Sequence, residues 1–458
     1  MMGRQNEPDR LFYEFSFESH LPAQHLLRRI DALLDLSFLR TELASFYSST
    51  GRPSVDPELM IRMLLIGYCY GIRSERRLCE EVHLNLAYRW FCRLGLEGGV
   101  PDHSTFSKNR HGRFRDAGVF RRVFEAVVHS CMQAGLVGSE GFAIDASVIE
   151  ADASHARRTE TGTPPSDWSD PSSVTRPVRE YLAALDAGTT PPVEPDAEPQ
   201  PPKTLSLTDP TAAWTNKGTR KVTFGYGANF LIDTKRAIIV DVEATPARWS
   251  QEVGSTRTMI RRTAERLGLH PQRLTGDTAY SSGGLLAWLM GRQIEPHVPV
   301  LDRRHQTKGM LTREAFTFDR DRNAFICSEG KVLSYTGHTR PNGVMMYHAS
   351  PKDCAPCLVR EQCTSGPART LTRNVHEDAR EHVRALRGTE AYERSARERR
   401  KIEMLFAHLK RNLGLRRLRL RGLTGAGDEF LLAATALNLG RLARTMVIHQ
   451  GSGRSCLA

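Results

Sequence analysis

The chain has no long hydrophobic run. Its longest apolar stretches, Leu64 to Ile72 and Phe430 to Gly440, fall short of the roughly 18 to 20 residues a membrane span requires, so no membrane association is expected. The opening residues, Met-Met-Gly-Arg-Gln-Asn-Glu-Pro, hold no apolar segment of a secretory signal, which points to the cytoplasm. Nine cysteines would be reduced or metal-bound in that compartment. Acid is scarce in one stretch above all: between Arg394 and Arg421 stand eleven Lys or Arg against two acids, Glu398 and Glu403. The whole chain carries a net charge of +12 with 25% charged residues. This is a basic excess on an ordinary globular background, and nucleic acid is the leading partner class.

At 458 residues the chain has room for about three domains of ordinary size. Residues 20 to 135 read as short helices. Asp56-Pro57-Glu58 is a helix start, with an N-cap, a proline at the first helical position and an acid in the first turn. Gly71 closes that helix and Ser74 opens the next. Pro101 to Arg110 looks like a capped helix whose exposed face carries hydroxyls, Lys108, Asn109 and Arg110, a face suited to phosphates and base edges; a helical packing or dimerisation domain is the alternative. Phe142 to Glu150 alternates as a strand with Asp145 at its centre, where an acid is unfavourable unless something pairs with it.

Residues 155 to 210 change character, with eleven prolines from Pro164 to Pro210, and read as a flexible insertion that carries no catalysis, with a short helix around Val178 to Ala187. Strands resume at Lys221 to Ile232 and Ala237 to Val242, joined by a turn at Asp233 to Arg236. A helix from about Ser250 to Leu267, a strand at Arg273 to Thr275, a helix from Ser281 and a strand from Ile294 to Val300 follow. Three meandering strands and then alternating helix and strand predict a mixed α/β sheet. Gly276-Asp277, at a strand end, is typical of a functional loop.

Glu403 lies in one of the most basic stretches of the chain. On a helix, Arg399, Glu403 and Lys410 share one face, flanked by Ala396, Ala407 and Gly414, and Ile402, Leu405, Phe406, Leu409 and Leu413 form the adjoining apolar face. A surface helix laced with weak ion pairs would look similar. Asp145, Asp277 and Glu403 are separated by 132 and 126 residues, so only a fold could assemble them. Three converging oxygen donors suit two hard divalent cations, Mg²⁺ or Mn²⁺, whose pairing serves in-line displacement at phosphorus.

Cys354 and Cys357 form a CxxC motif, Cys363 follows six residues on, and Cys327 lies upstream of an expected hairpin at Lys331 to Tyr347. Four thiolates with this spacing could bind structural zinc; reduced, partly buried cysteines are the alternative. Cys69, Cys79, Cys92 and Cys131 fall in apolar helices and read as core.

These motifs resemble those of bacterial insertion-sequence transposases of the DDE type. Gly51 to Pro57 and Pro101 to Ser107 are similar to the start and end of that family's N-terminal domain, Ile144 to Ser154 to the segment around its first catalytic Asp, Leu207 to Pro210 to the stretch before its second strand, and Gly276 to Tyr280 to its second Asp. Arg399, Glu403 and Lys410 fit the family's Y-x2-R-x3-E-x6-K signature in register, except that position 396, where the tyrosine belongs, is alanine, with Tyr392 one turn away. The resemblance implies an RNase H-like catalytic domain over 139–446, preceded by a helical DNA-binding domain over 1–138. Within the catalytic domain it implies the flexible insertion at 155–210 and a cysteine-rich, zinc-binding insertion at 316–370, which some relatives also carry; 447–458 is expected to be a disordered tail. It further implies a catalytic triad of Asp145, Asp277 and Glu403 holding two Mg²⁺ or Mn²⁺ ions. Arg399, Lys410, Arg400 and Tyr280 would bind phosphate or DNA. The expected partner is double-stranded DNA, at the element's terminal inverted repeats and at the target, bound by a homodimer in the nucleoid. A metal-dependent nuclease on the same fold, or a catalytically inactive DNA-binding relative, would share most of these features.

Overall fold

In a computed structural model of the chain, residues 15–48, 50–51, 53–170, 172–187, 202–216, 221–300, 310–340 and 343–445 are described. The expected tail and the middle of the proline-rich stretch, 188–201, lie outside them. The chain clusters into two compact units. Of the described residues, one takes those up to Leu136 with His408–Leu415 and 431–445; the other takes those of 137–407 and Arg416–Phe430.

The first unit is helical. Its central helix, α1 (Pro57–Cys69), starts as expected: Asp56 accepts the Glu58 N–H at 2.9 Å, with Pro57 at the first position. Ten of its thirteen residues are buried, which makes it the core of this unit. Arg62 is buried with them and is fully engaged, donating to Asp31 at 2.7 Å, to Glu58 at 2.8 Å and to the Phe91 carbonyl at 3.1 Å. Gly71 sits at φ +70°, and a Cβ there would stand 2.8 Å from the Asn412 carbonyl oxygen, so this turn requires glycine. Beyond α2 (Glu75–Leu84) comes α3 (His103–His111), capped by Asp102. The reading of its exposed face needs correction. Asn109 and Arg110 lie three and four residues after the buried Phe106 and are buried with it. Asn109 donates to the Thr105 carbonyl and Arg110 pairs with Glu75, which leaves Lys108, Ser104 and Ser107 exposed. The amphipathic α4 (Val119–Gln133) completes the N-terminal part.

The second unit is built on a six-stranded mixed sheet of β1 (Gly141–Glu150), β2 (Thr223–Asp233), β3 (Ile239–Pro246), β4 (Arg273–Thr275) and β5 (Glu295–His297), with Ala213–Thr215 as a short sixth strand antiparallel to the start of β2. The order is β3-β2-β1-β4-β5: β1 runs antiparallel to β2 and β2 to β3, whereas β4 runs parallel to β1 and β5 to β4. Every residue of β2 is buried, the burial pattern of a sheet strand covered on both faces. Three meandering strands followed by two parallel ones make this an RNase H-like core.

The proline-rich stretch differs from the expected flexible linker over its described parts. Arg158–Thr159 pairs with Leu205–Ser206, α5 (Arg176–Asp186) forms near the expected place, and Trp168, Val178 and Leu205 make a small core of their own. Three buried apolar side chains give these residues a reason to order that proline content does not reveal. After β3 come α6 (Trp249–Leu267) and, between β4 and β5, α7 (Gly283–Met290). A second sheet then runs as an antiparallel meander of β6 (Phe316–Asp319), β7 (Ala324–Cys327), β8 (Val332–Thr339), β9 (Val344–Ala349) and β10 (Thr370–Asn374), over Phe316, Phe325, Leu333 and Tyr347. The chain closes with α8 (Glu377–Leu386), α9 (Glu390–Arg411) and α10 (Gly422–Thr445). Among the described residues no helix is long and apolar enough to cross a membrane.

Candidate active site

Asp145 occupies the middle of β1, paired in register with Phe230 of β2. Phe230 in turn packs against Phe406 of α9, ring centroids 5.5 Å apart. That contact lays the helix carrying Glu403 across the strand pair carrying Asp145. Asp277 follows β4 directly and caps the turn Thr278–Tyr280 by accepting the Ala279 N–H at 2.8 Å. Gly276 lets this turn close down on β1: a Cβ there would meet the Ile144 Cγ2 at 3.0 Å and the Tyr280 ring at 3.1 Å, tighter than ordinary packing.

The structure thus brings the three sequence-predicted carboxylates into one neighbourhood, and their charges act on one another. The Asp145 carboxyl is pushed up to about 6, chiefly by burial and further by the negative charges of Asp277 and Glu403; Arg399 and a hydrogen bond from the Ala146 N–H oppose the rise. Arg399 pairs with Glu403 at 3.3 Å, one helical turn apart, while its Nε–H is buried with no hydrogen-bond partner. Glu403 remains 54% exposed, open to water or a ligand. Three hard oxygen donors that repel one another, beside an unmatched guanidinium N–H, fit a divalent cation accompanied by phosphate. Among the described residues no three His, Cys, Asp or Glu side chains stand as a ready-made metal cage. Mg²⁺ does not need one, since it is usually held by one or two carboxylates with water and substrate phosphate.

The remaining candidates divide by exposure. Arg400 is exposed on α9. Lys410 is partly buried, and burial lowers its pKa. Tyr280 differs from the sequence expectation of phosphate or DNA contact: it is 2% exposed, and its hydroxyl is buried without a partner. Burial and the nearby charges of Glu252, Asp145 and Asp277 hold its phenol well above the ordinary range, so it lies beneath the carboxylates rather than facing solvent. Tyr392, the neighbour of the missing signature tyrosine, is likewise buried, its ring packed at a tilt against His297 with centroids 5.5 Å apart. Part of the basic stretch is internally neutralised: Arg417 pairs with Asp152 at 3.2 Å, Arg421 with Asp152 at 3.0 Å and Arg394 with Glu140 at 3.4 Å.

Sequence reasoning missed Glu252, buried in the first turn of α6. An acid in a first helical turn is common for reasons of helix polarity alone, so only its depth marks it out. The cysteine group gathers at the edge of the second sheet. Cys327, Cys354 and Cys363 pack on that sheet's core; Cys327 Sγ accepts the Lys331 N–H at 3.3 Å. Burial, with the charges of Cys354, Cys327 and Cys357, raises the Cys363 thiol.

Residues 15–112 match a family described as a transposase domain, and residues 326–443 match a family described as a transposase DDE domain. The chain carries a transposase DDE domain. This DDE-type transposase is therefore a polynucleotidyl transferase, of a class that acts on DNA with divalent metal ions. The matched DDE segment contains Glu403 and the four cysteines, while Asp145 and Asp277 lie upstream of it. Among solved structures, a cryo-EM structure of a piggyBac transposase synaptic complex with hairpin DNA is similar over 92% of this transposase and 74% of that chain, at 10% identity and a TM-score of 0.32.

Proposed function

We propose that this transposase mobilises a bacterial insertion sequence: it binds the element's terminal inverted repeats, cleaves a strand at each end and joins the freed 3′-hydroxyl to target DNA. What supports the reading is that the charges of Asp277, which follows β4, and of Glu403, on α9 beside Arg399, both act on the buried Asp145 carboxyl of β1. In cleavage, water oxygen bonds to phosphorus and the bond from phosphorus to the 3′-oxygen breaks. In transfer, that 3′-hydroxyl bonds to a target phosphorus and a target 3′-oxygen leaves. Asp145, Asp277 and Glu403 would hold two Mg²⁺ or Mn²⁺ ions, which when bound activate the attacking hydroxyl and stabilise the leaving oxygen. Arg399 would offer its unmatched Nε–H to the reacting phosphate and Arg400 its exposed guanidinium to the neighbouring backbone. No covalent bond to protein is needed, so catalysis rests on positioning and charge. Lys410, less exposed, is the weaker phosphate ligand of the three. The active form would be a homodimer on DNA, in the cytoplasm.

The decisive assay combines DNA ends bearing the terminal repeats, target DNA and Mg²⁺ or Mn²⁺, with Asp145→Ala, Asp277→Ala and Glu403→Gln alongside. The reading requires joined products that all three variants abolish. Cleavage without joining would indicate a nuclease, and repeat binding without cleavage a catalytically inactive relative. We further propose that Cys327, Cys354, Cys357 and Cys363 hold structural zinc. Cys327, Cys354 and Cys363 pack on one small core, the charge of Cys357 acts on Cys363, and a backbone N–H is directed at Cys327 Sγ, surroundings that suit thiolate ligands. One equivalent of zinc by mass spectrometry of purified protein, lost in Cys354→Ser, is expected; zinc-free protein of unchanged stability would rule it out.

A further inference from the structure

The helix that carries Glu403 is held near that residue by apolar contacts, Phe406 on Phe230 and the buried Ile402 and Leu405. Such contacts are non-directional and do not fix register well. Two turns earlier the same helix is held by directional bonds. Ser395 is 1% exposed, and its hydroxyl lies 2.7 Å from the His297 Nδ1 and accepts the Arg273 Nε–H at 3.1 Å. His297 Nε2 lies 2.8 Å from Glu295. The Arg273 guanidinium also donates to Glu398 at 3.1 Å and to Glu140. Gly141 makes room for it, since a Cβ there would stand 3.0 Å from the guanidinium carbon.

With His297 neutral, as its burial favours, every donor in this chain has an acceptor. Arg273 gives to Ser395, Ser395 gives its proton to Nδ1, and Nε2–H gives to Glu295. The chain links three elements: β4, which runs into Asp277; β5 beside it; and α9. From Arg273 to Asp277 is about 13 Å of extended chain, and from Ser395 to Glu403 about 12 Å of helix. Both arms arrive beside Asp145, because Asp277 and Glu403 both act on its carboxyl. The node is therefore the common origin from which two of the three carboxylates are measured off.

We propose that Arg273, His297 and Ser395 are positioning residues which set Glu403 against Asp277, an inference that rests on the catalytic reading of the triad. A one-residue slip of α9 at the node would turn Glu403 by about 100° and move it about 1.5 Å, and misplacement of about 1 Å can cost on the order of a hundredfold in rate. The test measures Mn²⁺ affinity by electron paramagnetic resonance and strand-cleavage kcat and KM, in full-length protein, for Ser395→Ala and His297→Ala. Ser395→Thr and His297→Asn, which keep the hydroxyl and the acceptor facing it, serve as conservative partners. We expect Ser395→Ala and His297→Ala to weaken Mn²⁺ binding about tenfold and lower kcat about 10- to 100-fold, with KM for DNA unchanged. The conservative partners should recover most of both. Unchanged Mn²⁺ affinity and kcat in the alanine variants, or a loss that tracks only the fraction of folded protein, overturns the proposal. Should either alanine variant fail to fold, a conservative partner that folds yet binds Mn²⁺ as poorly as Asp277→Ala overturns it too. Failure of the catalytic reading looks different: wild type would not cleave, and Asp277→Ala would leave Mn²⁺ binding unaltered.

Discussion

Replacing Asp145 by Asn should make the metal-free transposase more stable while abolishing strand cleavage. The Asp145 carboxyl sits at about 6, against an ordinary value of 3.8. An acid whose folded-state pKa is raised binds more protons folded than unfolded, so stability falls as pH rises between those two values and then stays level. A shift of about two units corresponds to at most about 3 kcal/mol; the group is only partly buried, and solvent screening brings this to about 1–2 kcal/mol. Asparagine keeps the oxygen that accepts the Ala146 N–H at 2.8 Å and removes the charge that Asp277 and Glu403 repel. Denaturant unfolding in EDTA would then show wild type losing about 1–2 kcal/mol between pH 4 and pH 7, and Asp145→Asn losing little of it. At pH 7.5 the variant should be the more stable. Saturating Mg²⁺ should reverse the order, because ligand at a hundred times its dissociation constant adds about 2.7 kcal/mol to wild type. An Asn variant less stable than wild type at pH 7.5 without metal would refute the reasoning. Asp145 would then be the structural partner of Arg399 rather than a site carboxylate held in strain.

Gly276→Ala should destabilise the second unit by about 1–3 kcal/mol through overpacking against Ile144 and Tyr280. Because it displaces Asp277, cleavage should fall further than unfolding accounts for, read as kcat per folded molecule. Arg62→Ala takes the buried cation from Glu58 and Asp31, though Arg93 still pairs with Asp31 at 2.9 Å, so a cost of about 1–3 kcal/mol should appear in thermal unfolding of the helical unit. Arg400→Gln should weaken DNA binding and reduce the slope of log affinity against log salt by about one unit, measured by fluorescence anisotropy across a salt series; an unchanged slope would remove Arg400 from the interface.

Local pattern made some elements legible. Alternation located β1 and put Asp145 at its centre; Asp56-Pro57 marked the start of α1; Gly276-Asp277 stood at the end of β4. The same local rules erred where contact, not composition, decides. Eleven prolines suggested a linker, yet among the described residues Trp168, Val178 and Leu205 pack into a small core. Asn109 and Arg110 looked like a polar face, but Phe106 turns that face inward. Tyr280 looked available to a phosphate and is buried.

By itself the amino-acid sequence determined which residues could do chemistry on DNA: three acids that no local motif explains, a helix register of Arg399, Glu403 and Lys410, and a basic excess. These are properties of side-chain type and of the 3.6- and 2-residue periods. Only the tertiary structure decided that Asp277 and Glu403 act on the buried Asp145 carboxyl and raise it, that Glu252 is buried, and that Arg273, His297 and Ser395 join strand to helix. Arg273 and Ser395 are 122 residues apart. No local pattern encodes such a pairing, because it forms only when the sheet order is complete and the buried polar groups must find partners within reach.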